Sequence, residues 1–83
     1  MKKGKLLQKI LTGSTNVKFS DMQSLVEAFG FRLERVRGSH HIFIHPEVRE
    51  IINLQNVKSQ VKPYQVRQVL KIVERYNLEL GDD

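Results

Sequence analysis

The apolar residues of this chain change their period twice, and that pattern alone dictates most of its architecture. Met22, Leu25, Val26 and Phe29 recur at helical spacing. Ser20 followed by Gln23 fits a capping box, and Gly30 stands where a helix-ending glycine belongs, so a helix is predicted over residues 21–29. From Phe31 the period shortens. Phe31, Leu33 and β-branched Val36 lead to Gly38-Ser39, and His40 to His45 then carries Ile42, Phe43 and Ile44, which predicts two strands about a tight turn. Pro46-Glu47 makes a second turn and Val48 to Leu54 a third strand, and three short strands in series pair most simply as an antiparallel meander. Gln55 to Lys62 is polar and helix-poor. Pro63 suits the first turn of a last helix whose inner face is Val66, Val69, Leu70 and Val73, with Tyr76 extending the stripe. Ahead of all this, Leu6, Leu7, Ile10 and Leu11 line one side of a short helix that Gly13 ends, and Thr12 to Lys18 reads as a polar connection.

The expected class is therefore α+β, ordered α-β-β-β-α, with a three-stranded antiparallel sheet, two helices packed on one face and a short extra N-terminal helix. Double-stranded-RNA-binding domains use the same layout. With 83 residues the chain is read as one domain over 1–83, its core at 20–77 and residues 1–19 an N-terminal extension. A domain of this size buries only about 60–65% of its unfolded surface. Without cysteine it has no disulfide or zinc ribbon to supplement that thin core. Lys2, Lys3 and Lys5 precede an apolar stretch, but Gln8 and Lys9 interrupt it too early for a signal peptide, and no run reaches the ~20 apolar residues of a membrane span. The expectation is a soluble, cytoplasmic protein without a cofactor.

Charge points to the partner. The net charge is +5, and through Val73 the chain holds thirteen basic against five acidic side chains, while the tail from Glu74 is acidic. A polyanion is the natural counterpart of such a body, although small domains also carry surplus lysines for solubility alone. The last helix bears Arg67, Lys71 and Arg75 at i, i+4 and i+8, opposite its apolar stripe, with Lys58 and Lys62 just before it. Like charges four apart disfavour a helix by a few tenths of a kcal/mol, a cost that phosphates could offset; a solvated helix face is the plain alternative.

All three histidines fall within six positions, in Arg35-Val36-Arg37-Gly38-Ser39-His40-His41-Ile42-Phe43-Ile44-His45-Pro46. Strand alternation sends His40 to one face with Ile42 and Ile44, and His41 and His45 to the other with Phe43. At most two histidines share a side, so a metal centre is disfavoured. His41 and His45 read as structural. His40 differs because it follows a Gly-Ser turn flanked by Arg35 and Arg37. Gly38 permits close backbone approach, Ser39 and the turn amides can donate to phosphate oxygens, and arginine offers them a bidentate fork. An imidazole adds proton transfer near neutral pH, typically worth on the order of a hundred- to ten-thousand-fold in rate. RNA carries its own nucleophile, the 2′-OH, so a metal is not required.

The string Gly30-Phe31-Arg32-Leu33, followed by Arg37-Gly38-Ser39-His40-His41-Ile42-Phe43-Ile44-His45-Pro46, resembles the HicA family of type II toxins over roughly residues 20–77. The resemblance implies a double-stranded-RNA-binding-like fold, cleavage of messenger RNA and neutralisation by a cognate HicB antitoxin. It also implies that cleavage depends on the histidine after the Gly-Ser turn, here His40. Arg35, Arg37, Lys58, Lys62, Arg67 and Lys71 are candidates for holding the RNA backbone, with Gly38 and Ser39 shaping the approach. Two other classes stay open at this point: an RNA-binding module without catalysis, and a protein-interaction domain whose edge strand and basic surface meet an acidic partner.

Overall fold

In the computed structural model, which describes residues 3–12 and 17–81, the strands run Arg32–Arg37 (β2), His40–His45 (β3) and Val48–Gln55 (β4), and pair antiparallel in the order β2-β3-β4. Helices Lys3–Thr12 (α1), Phe19–Ala28 (α2) and Pro63–Arg75 (α3) complete the main elements. The expected α+β meander is present, and so is the extra N-terminal helix. Gly13, expected to end that helix, lies outside the described residues.

Two expectations need correction. The connections read as polar linkers contain strands: Val17–Lys18 (β1) and Gln60–Val61 (β5) pair antiparallel as a separate two-stranded sheet, with Val17 opposite Val61. Val61 is fully buried, so this small ribbon belongs to the core. The capping box is also not used. Helix α2 starts at Phe19, with Lys18 as an N-cap that makes no side-chain bond, and Ser20 lies inside the first turn. The reason is tertiary: the Phe19 amide donates to the Ser59 carbonyl at 2.9 Å and its ring is buried, so the ribbon anchors the helix two residues earlier than the local signal.

The end of α2 follows the sequence. Gly30 has φ +97°, its N–H donates to the Glu27 carbonyl, and the Phe31 N–H reaches back to Val26, which is the two-bond Schellman pattern. Asn77, at φ 53°, plays the same part after α3, with Leu78 bonding to Val73.

The core lies on one face of the sheet. Met22, Leu25 and Val26 of α2 and Val69 of α3 close over Phe43, Ile52 and Leu54, all essentially inaccessible. Gln65 is the buried polar side chain of α3, and both ends of its amide are satisfied by the β4 backbone: Oε1 accepts from the Gln55 N–H and Nε2 donates to the Asn53 carbonyl, each at 3.0 Å. Cover is uneven across the sheet. Every residue of β2 is exposed, including Leu33 at 39% and Val36 at 50%, which project towards the helix side but lie beyond its reach.

Candidate nucleic-acid interface

The site is built on the face of the sheet that the helices leave open. Directly paired residues of an antiparallel ladder project from the same side. His40 pairs with Arg37 on β2 and with Gln55 on β4, and Ile42 pairs with Arg35 and Asn53. Next along, Ile44 pairs with Arg32. One surface therefore carries a column of arginines, then His40 and the isoleucines, then Asn53 and Gln55.

That column depends on an irregularity. Strict alternation through Arg32-Leu33-Glu34-Arg35-Val36-Arg37 would set Arg32 opposite in sense to Arg35 and Arg37. The register shifts between Leu33 and Arg35, leaving Glu34 as the extra residue of a bulge. Arg32, Arg35 and Arg37 then share the open face while Leu33 and Val36 share the other. Arg35 and Glu34 approach at 3.9 Å with both side chains about half exposed, a pair too loose to neutralise the column.

The β2–β3 connection is the two-residue loop Gly38-Ser39. Gly38 has φ +57° and Ser39 has no positive φ, the signature of a II′ hairpin turn, whose first position glycine fills without strain. Nothing lies within 4 Å of a Cβ built on Gly38, so the turn is open to approach. The Ser39 carbonyl accepts from the Asn56 N–H at 2.8 Å, and its hydroxyl is 3.5 Å from the Gln55 side-chain nitrogen.

The three histidines occupy three environments. His40 is exposed, with Nδ1 3.1 Å from the Asn53 Oδ1. His41 turns to the packed face, where its ring meets Phe19 at 4.5 Å and Nδ1 lies 3.3 Å from the Ser39 carbonyl. His45 stacks edge-on to Phe31 at 5.0 Å, and its Nδ1 accepts from the Glu47 N–H at 3.0 Å. Among the described residues no three His, Asp or Glu side chains gather so as to hold a metal ion.

Of the residues singled out in the sequence, Arg35, Arg37, Gly38, Ser39 and His40 fall together at one end of the hairpin. Lys58 lies in the turn before β5, beside that end. It lines an open groove of about 420 Å³ with Lys18, Ser20, Asn56 and Ser59, and Asn56 is bonded to Ser39. Lys62 is the N-cap residue of α3, directly after β5, and Arg67 and Lys71 are exposed along that helix; among the described residues none of the three bonds to the His40 cluster. Sequence reasoning missed Asn53 and Gln55. Polar residues in a strand register as interruptions of an apolar run, and only the β3–β4 register reveals that both face His40.

Fold and site together define a small basic α+β protein of double-stranded-RNA-binding layout, with a histidine set among arginines on an uncovered sheet face. A family model described as the HicA toxin of bacterial toxin-antitoxin systems matches residues 19–74, and the chain belongs to that family. The match takes in the three-stranded sheet and both helices of the core, and leaves α1 outside. No curated protein and no solved structure shows a significant match. Membership places the protein on the toxin side of a toxin–antitoxin pair. Among the described residues no helix is long and apolar enough to cross a membrane.

Proposed function

We propose that the protein is an endoribonuclease of the toxin type, cutting messenger RNA in the cytoplasm without a metal, with His40 as the proton-transfer group and a HicB-type antitoxin as its cognate inhibitor. The observation that carries this reading is the exposed His40 ring between the arginine column and the polar side chains of β4, next to an open Gly-Ser turn. An RNA strand crossing that face meets guanidinium groups for its phosphates and an imidazole within reach of the sugar.

The chemistry balances without a further reagent. His40 takes the proton of the ribose 2′-OH, the 2′-oxygen attacks the adjacent phosphorus, and the P–O5′ bond breaks. The 5′-oxygen leaves as a hydroxyl after taking a proton from solvent, and the ring returns its own proton to solvent. The products are a 2′,3′-cyclic phosphate and a 5′-OH end. Arg35 and Arg37 hold the phosphodiester, and Lys58, on the turn beside Ser39, is the next cation along. Arg67 and Lys71 on α3, and Lys62 at its N-cap, would meet a longer or bent RNA.

Purified protein should cut single-stranded RNA in EDTA, and His40→Ala should abolish cutting while the fold is kept. A 2′-deoxy sugar at the cut site should block cleavage. Salt-sensitive RNA binding without turnover, unaffected by His40→Ala, would establish the binding-module reading instead.

A further inference from the structure

We infer that Asn53 is the positioning residue of this site: its side-chain carbonyl accepts the His40 Nδ1 proton, fixes the neutral ring as the Nδ1–H tautomer and leaves Nε2 to exchange a proton with RNA. The inference rests on the reading of His40 as the proton-transfer group and specifies which ring atom works.

The geometry comes from the ladder. Gln55 is directly opposite His40, and Asn53 is its diagonal neighbour two residues along the same face. Diagonal neighbours stand about 7–8 Å apart, within reach of an imidazole and an amide extended towards each other. Gln55, the nearer candidate, is engaged otherwise: its side chain turns to the Ser39 hydroxyl and its backbone N–H goes to Gln65. Asn53 is left to meet the ring, with Nδ1 and Oδ1 at 3.1 Å. The Asn53 backbone is itself held, because its carbonyl accepts from the Gln65 amide. The acceptor therefore has a fixed base.

A neutral imidazole carries one proton on either of two nitrogens, and the partner of one nitrogen decides the state of the other. In free histidine the Nε2–H form predominates, which would present RNA with a donor where a base is needed. An acceptor at Nδ1 reverses that preference. Asparagine does so without introducing a charge, since unlike a carboxylate it does not ionise. Among the described residues the charged groups on this face are the β2 arginines Arg32, Arg35 and Arg37 and, farther along β4, the exposed Arg49 that alternation places with Asn53; the β4 residues beside His40 are the uncharged Asn53 and Gln55. The contrast with His45 is informative, since there Nδ1 accepts a backbone N–H and the tautomer is the reverse.

The decisive measurement is long-range 1H–15N NMR on the labelled full chain, which reports the protonated nitrogen of His40 independently of activity. In the wild type Nδ1 should be the protonated and Nε2 the bare nitrogen when the ring is neutral. Asn53→Ala should return the ring towards the Nε2–H form and lower kcat about ten- to a hundredfold, by analogy with the loss seen when the outer hydrogen-bond partner of a metal-bound histidine is removed, with KM and thermal midpoint held. Asn53→Asp restores an acceptor, so it should recover the tautomer and move the acidic limb of the kcat profile to higher pH, because a carboxylate favours the charged ring. A wild-type ring protonated at Nε2, or an Asn53→Ala protein with unchanged tautomer and rate, overturns this inference and leaves the nuclease reading standing. An active His40→Ala protein overturns both.

Discussion

His40 and its neighbours His41 and His45 share one strand of six residues, yet the two sides of that strand set the same side chain in opposite surroundings. On the packed side the rings act as aromatic filler: His41 leans on Phe19 and His45 on Phe31, and each Nδ1 is committed to local backbone. On the open side His40 meets a side chain, Asn53, and stays exposed. Residue type says nothing about this division; it follows from the period of the strand and from which face the helices cover.

The sharpest way to break the comparison is to truncate each ring in turn. His40→Ala should reduce RNA cleavage by about a hundred- to ten-thousand-fold while shifting stability by no more than ~0.5 kcal/mol, read from single-turnover cleavage and urea unfolding. Loss of stability without loss of cleavage would reverse the assignment of faces.

Gly30→Ala probes the packed side. A Cβ there would stand 2.8 Å from the His45 Nε2, on a backbone at φ +97°. Stability should fall by about 1–3 kcal/mol, and His45→Ala in the same chain should return only the steric part. His41→Ala should cost about 0.5–1.5 kcal/mol through its lost contact with Phe19, with the cleavage rate per folded molecule unchanged.

The smallest effect lies at the edge. The Arg75 hydrogen bond holds the Glu50 carboxyl below its ordinary value of 4.5, and the same contact raises Arg75. A lowered carboxyl pKa contributes stability that is fully present above that ordinary value and lost as pH falls through the lower, folded-state one. Glu50→Gln should therefore narrow the stability difference between pH 6 and pH 3 slightly, as both side chains are well exposed.

How much of this was legible in the sequence varies with the range of the interactions. The helix with Met22, Leu25 and Val26 and the meander around Gly38 and Pro46 are written in local periodicity, and the structure follows them. The separation of His40 from His41 and His45 was readable from alternation alone. What failed was long-range. A two-residue strand such as Val17–Lys18 has no period to detect, and its pairing with Gln60–Val61 spans more than forty residues. The same ribbon overrode the Ser20 signal by drawing Phe19 into the core. The Glu34 bulge was equally hidden, because Arg-Leu-Glu-Arg-Val-Arg alternates acceptably in either register. Asn53 could not be recognised without knowing which residue of β4 stands across from Ile42.

The buried amide of Gln65 ties these threads together. By taking the Gln55 N–H and the Asn53 carbonyl, it imitates for one residue the missing neighbour strand, and so works as a splint along the sheet's outer border. The stretch of chain it stiffens is the one facing His40. Placement of the His40 ring is thus governed partly from behind, by a helical side chain on the other side of the sheet, and drift in α3 would be felt at the front as a blurred angle between an imidazole and its amide.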